Sequence, residues 1–192
     1  MKLFFSLIFC LMMLSIQSFA QEDATPNDEQ MKAWMEYMTP SQTHEMLAKS
    51  NGTWKAKMTM WMSPDSEPTE NEGMMANEMI LGGRYQKSTF KGDFMGMPME
   101  GMSLLAYDNA SKEFYSIWID NMGTGMMMSK GKYDESTKVV DMKGTYVDPM
   151  TGKEEPFRQT MQEVDDNHQA MEMFMFMDGK EYKNMHIDLT RE

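Results

Sequence analysis

The stretch MEMFMFMD, Met171 to Asp178, sets methionine at every second position: Met171, Met173, Met175 and Met177. Successive side chains of a β-strand point to opposite faces, so this period places four thioethers on one side of a sheet. Two chemistries could require such a row. It is a ladder for a soft metal ion, or it is an apolar core written in methionine.

Composition bears directly on the choice. The chain has 192 residues and 29 methionines, 26 of them after residue 20, against 5 Leu, 4 Ile and 4 Val in the same span. Ordinary cores lean on those three branched residues. If the methionines faced water, almost nothing apolar would remain to bury, so the row is expected to be core. Methionine is suited to that role as a compliant filler of irregular space.

The same period-two pattern extends outward from the row. Ten segments alternate apolar with polar: 53–62, 72–81, 83–91, 98–107, 112–120, 125–134, 137–147, 154–165, 168–177 and 180–191. Turn-forming residues separate them, among them Ser63-Pro64-Asp65, Gly82-Gly83, Asp148-Pro149 and Asp178-Gly179. The links are short, which suits antiparallel neighbours, because parallel strands need long crossovers. A meander of this many strands is expected to close on itself and so remove its edges.

The front of the chain reads differently. Residues 1–20 have the form of a signal peptide, with Lys2, an apolar run from Leu3 to Ile16 and the small-x-small site Ser18-Phe19-Ala20. Cys10, the only cysteine, lies in that leader, so the mature chain is expected to have no disulfide and no thiolate chemistry. Residues 21–51 form a lead-in and a helical segment. Asp28 caps a helix through Met31, Trp34, Met35 and Met38, and Ser41 caps a second that buries Met46, Leu47 and Ala48. The domain from 52 to 192 then holds the strands. An exported protein, periplasmic or extracellular and free of the membrane once the leader is removed, follows as an expectation. The formal charge of −12 disfavours nucleic acid as a partner, since phosphate binding needs a basic surface.

Four runs, His44 to Trp54, Leu81 to Gly101, Leu104 to Gly125 and Met185 to Arg191, resemble the bacterial family DUF1579, whose function is unknown. The resemblance covers about residues 44 to 191. It implies an all-β, roughly ten-stranded, up-and-down antiparallel barrel of calycin-like, lipocalin-related type behind a short helical segment. Gly52-Thr53-Trp54 is similar to the Gly-x-Trp that opens the first strand of lipocalins. By the same likeness Arg191 would lie across Trp54 and close the barrel, a structural role for Gly52, Trp54 and Arg191.

Such a barrel encloses a filled core or a cavity for one small molecule. The leading expectation is non-catalytic binding of a small hydrophobic ligand, with no cofactor. Alternation puts Phe114, Ser116, Trp118 and Asp120 on one face. An inward carboxylate needs a partner, which Arg84 or Tyr85 could supply; alternatively, Asp120 caps the end of its strand. The expected wall is Tyr85, Tyr107, Phe114 and Trp118, with Arg84 and Asp120 as polar anchors. Copper or silver held by exposed methionines in the Gly- and Pro-broken stretch, Met95, Met97, Met99 and Met102, is a second expectation. A barrel packed solid, whose methionines absorb oxidants, is a third. His44, His168 and His186 lack metal-ligand spacing and are expected to be solvated. The oligomeric state is not legible.

Overall fold

A computed structural model describes residues 27–192; the signal peptide expected over residues 1–20, and the lead-in up to residue 26, lie outside the described residues. Two helices, α1 (Asp28–Met38) and α2 (Gln42–Lys49), precede ten strands. These are β1 (Gly52–Met60), β2 (Thr69–Ile80), β3 (Tyr85–Phe94), β4 (Met97–Asp108), β5 (Glu113–Asp120), β6 (Met127–Asp134), β7 (Val139–Val147), β8 (Glu154–Asp165), β9 (His168–Met177) and β10 (Lys180–Arg191). Each strand pairs antiparallel with its sequence neighbours, and β1 pairs with β10, so the sheet is a closed barrel. Among the described residues no helix is long and apolar enough to cross a membrane.

The strands form where period-two alternation is cleanest. On β1, Trp54, Ala56 and Met58 are buried while Thr53, Lys55 and Lys57 face solvent. The outer face carries cross-strand ion pairs such as Lys87–Glu78 at 2.6 Å and Lys91–Glu100 at 3.1 Å. Pairs this exposed are worth little individually, and their effect is to keep the outer surface wet. Asp178 and Gly179 both have positive φ, as do Met95 and Gly96. These are the mirror-image two-residue turns that match strand twist. The stretch around Met97 is therefore a hairpin and not a broken loop; Pro98 sits in β4 opposite Asp93.

The seam between β1 and β10 is fastened to α2. The Arg191 guanidinium stacks 4.2 Å from the centre of the Trp54 ring. It donates to the carbonyls of Lys49 at 2.7 Å, Asn51 at 2.8 Å and Asp166 at 3.0 Å. Trp54, fully buried, donates its indole N–H to the Ser50 carbonyl at 2.8 Å. Asn77 and Gln86, from inside β2 and β3, donate to the carbonyls of Ser50 and Leu47. The last carbonyls of a helix have no partner within it; here the barrel supplies them. Gly52 sits at φ 120°, and a Cβ there would come within 3.3 Å of the Arg191 guanidinium. Gly52, Trp54 and Arg191 thus meet at this seam.

Two local expectations change. Asn27, not Asp28, caps α1, accepting from the Gln30 amide at 2.8 Å. No residue of α1 is buried; the barrel grips only its end, where Arg84 donates to the Met38 carbonyl and Asn109 to that of Thr39. His44 is not solvated but buried in α2, against the Tyr107 ring at 5.8 Å. Its Nδ1 accepts the Ser41 amide at 3.0 Å, so it serves the helix cap that a glutamine or glutamate usually serves.

Replacing Arg191 with leucine removes the stacked cation and three charge-assisted hydrogen bonds. A loss of about 1–3 kcal/mol is expected in chemical denaturation, with Arg191→Lys intermediate because an ammonium cannot form the fork. Burial, helped by the Arg84 charge, lowers the His44 pKa from its ordinary value against the opposing pull of the Tyr107 carbonyl. The unfolded chain therefore takes up the proton first. The stability contributed by neutral His44 is present above about pH 6.5 and is lost as pH falls below it. His44→Gln, which keeps the cap, should flatten that limb of the stability–pH profile; an unchanged profile would assign it to other groups.

Candidate functional site

The barrel is hollow. A cavity of about 680 Å³ runs from α2 at one end toward the opposite rim, and eleven methionines line it. An interior of eight strands is about as wide as side chains can fill; ten strands built largely on unbranched methionine leave space. The solid-barrel expectation therefore does not describe this interior. The methionine row of β9 answers accordingly: Met171 and Met173 are cavity wall, Met175 is partly buried beside Phe157, and Met177 reaches the rim.

Trp118 and Asp120 line the far end of the cavity, as the alternation of β5 requires. Trp118 can lean inward because Gly101 lies beside it; a Cβ on Gly101 would fall 2.3 Å from the indole ring. The indole N–H donates to one Asp120 oxygen at 2.6 Å, and the Met122 amide donates to the other at 2.9 Å. Both of the alternatives for Asp120 hold in part. It faces the cavity, and it also caps its strand end.

The other expected site residues fall elsewhere. Arg84 is exposed at the α2 end, bound to the carbonyls of Met38, Leu81 and Gly82. Tyr85 does not line the cavity, because Gln86, Ser88 and Phe90 take the inward positions of β3. Neither can reach Asp120, since β3 begins at the end where β5 also begins, and Asp120 closes β5 at the other. Phe114, fully buried, and Tyr107 stack at 4.9 Å in the core beneath α2 and stay out of the cavity. The four methionines of the copper expectation are dispersed. Met95 is in the turn, Met97 is exposed, Met99 lines the cavity and Met102 pairs with outward-facing Thr89.

Sequence reasoning missed a polar belt inside the barrel. Asn77, Gln86, Ser88, Ser103, Ser116, Ser129 and Gln159 all line the cavity, and all but Ser103 are buried. Asn77 pairs with Ser88 and Ser88 with Ser103 across three adjacent strands, and Ser116 pairs with Ser129. Gln159 donates to the Ser129 hydroxyl at 2.8 Å. Asn77 is oriented by its bond to Ser50, which leaves its Oδ1 buried with no partner. The signal was present in the phase of the strands: Ser116 stands between Phe114 and Trp118, and Ser88 between Gln86 and Phe90. Small polar residues in inward phase mark a wall around a void rather than a packed core.

The architecture is shared with a solved structure. The crystal structure of Rv2717c from M. tuberculosis superposes with a TM-score of 0.60, covering 80% of this chain and 99% of that one at 14% identity. At that identity the likeness speaks for the fold alone. No curated protein matches the chain. The family model described as "Protein of unknown function (DUF1579)" matches residues 39–191, and the chain belongs to that family.

Proposed function

We propose that this protein is a calycin-like carrier that holds one small, largely apolar molecule in the barrel, without chemistry on it. The observation that supports this most is the cavity itself. Its volume of about 680 Å³ lies within the usual range for small-molecule sites, and its wall is mostly apolar with a few convergent polar groups. The orphaned Asn77 Oδ1, beside the Ser88 and Ser103 hydroxyls, calls for a donor on the ligand. A hydroxyl or amide head on an apolar body is the matching chemistry. The two Asp120 oxygens are already engaged by N–H donors, which suits anchoring better than proton transfer. The leader-like first twenty residues favour work in an exported compartment, and the acidic charge favours partners other than nucleic acid.

A neutral environment-sensitive fluorophore, N-phenyl-1-naphthylamine, tests this. The wild-type protein should bind it with enhanced emission and release it to a long-chain alcohol. Ser103→Phe places a ring in the cavity and should weaken binding at least tenfold while leaving the circular dichroism spectrum unchanged. Wild-type protein that fails to bind the probe, or a Ser103→Phe variant that binds it equally well, would remove the carrier function.

A further inference from the structure

We propose that Met60, Met173 and Met185 form a three-thioether site for a single monovalent soft cation, Cu(I) or Ag(I), on the cavity wall. Strand register brings them together. Met60 of β1 is directly opposite Met185 of β10, and Met185 is directly opposite Met173 of β9. All three line the cavity, so they form one inward-facing row on three adjacent strands. Directly opposed residues have Cβ atoms about 4.5–5.5 Å apart, within which long, unbranched thioether side chains can converge on one ion. This row differs from Met95, Met97, Met99 and Met102, which the hairpin disperses over a turn and both faces.

Three further observations favour an ion here. First, the pairing of β9 with β10 shifts register between Lys183 and Met185, a bulge immediately beside the row. Bulges re-aim side chains and recur beside functional sites. Asn184 in that bulge is locked to Trp61: the Trp61 amide donates to the Asn184 carbonyl, and the Asn184 side chain donates to the Trp61 carbonyl, each at 2.8 Å. The clamp holds β1 and β10 in register next to Met60 and Met185.

Second, the donor set of the row is sulfur. The side-chain NH2 groups of Asn184 and Gln159, the latter opposite Met173, are fixed by donation to Trp61 and Ser129. The row presents three thioether sulfurs, which select soft ions over magnesium, calcium or zinc. The ligands are also neutral and the wall apolar, so a single positive charge is far less costly to place there than a double one.

Third, a second row lies two residues further along the strands. Met58 pairs with Ile187, Ile187 with Met171, and Met171 with Met161, all inward. The one branched residue interrupts the lower row, so the upper row alone offers three adjacent thioethers. The acidic protein as a whole adds a field that draws cations toward it.

The test is anaerobic competition for Cu(I) between the protein and the chromogenic chelator bicinchoninate. Wild type should withdraw one equivalent. The Met60→Leu/Met173→Leu/Met185→Leu variant, which nearly preserves volume and apolarity, should lose at least tenfold in affinity, while Met95→Leu/Met97→Leu/Met102→Leu should bind as wild type does. In wild-type protein labelled with ¹³C at the methionine methyls, one equivalent of Ag(I) should shift three resonances. Single Met→Leu variants would assign these to residues 60, 173 and 185, so the conclusion does not depend on the triple variant folding. Failure of wild type to take up Cu(I), equal uptake by the first triple variant, or Ag(I) shifts confined to other methionines would each overturn the site. The carrier function is separately readable, because the neutral fluorophore should still bind in the triple variant.

Discussion

The pairing of β1 with β10 is the contact on which the rest of the molecule depends. Without it the ten strands form an open sheet with two unprotected edges, which invites association with other chains. The seam is more than a hydrogen-bond ladder. Arg191, the last residue of β10, lies over Trp54 and reaches the carbonyls at the end of α2. One guanidinium therefore ties the first strand, the last strand and the capping helix together. Because the Lys49 and Ser50 carbonyls at the end of α2 take donors from Arg191, Trp54 and Asn77, helix docking and barrel closure each favour the other. Their coupling holds the described residues, none of them cysteine, together without covalent staples.

Closure at ten strands then dictates an interior too wide to fill, and the choice of residues decides what the void is like. Branched aliphatics would have set rigid contours. Methionine has three rotatable bonds and a polarisable sulfur, so a thioether wall can repack around guests of different outline. Surfaces of that kind are used where one protein accommodates several partners. Eleven of the methionines thus give the cavity a lining that is apolar without being fixed in shape. Stiffer groups enter the lining at a few points: Trp118, seated by Gly101, and the hydroxyls and amides of the inner belt.

Much of the fold was legible because period-two alternation is a local property. The strand positions, the inward phase of Trp118 and Asp120, and the partnership of Trp54 with Arg191 all followed from it or from the family likeness. What was lost depends on depth along the barrel, which alternation does not encode. Arg84 and Tyr85 seemed able to meet Asp120, but they start a strand at the α2 end whereas Asp120 finishes one at the other. Phe114 shares a face with Trp118 and still belongs to a different layer, beneath the helix. His44 was misjudged for another reason. Its burial is set by packing on Tyr107, a residue more than sixty positions away, and by a capping role usually filled by another residue type.

The interior is chemically divided, and the division gives its two proposed uses separate ground. Strands β2 to β6 contribute Asn77, Ser88, Ser103, Ser116, Ser129 and the Trp118–Asp120 pair, whereas β8, β9, β10 and β1 contribute six methionines beside Gln159, Asn184 and apolar residues such as Ile187 and Leu189. A guest with a polar head would turn that head toward the first half and lay its apolar body along the second. A soft ion would sit wholly within the second. Hydrogen-bonding groups bind hard and neutral partners, and thioethers bind soft and apolar ones, so neither half competes for what the other selects. Because the sulfur wall would serve both guests, an ion fixed at Met60, Met173 and Met185 would immobilise three of the side chains whose freedom lets the cavity adapt. Metal and apolar ligand would then be coupled through the stiffness of one wall, with no movement of the strands required.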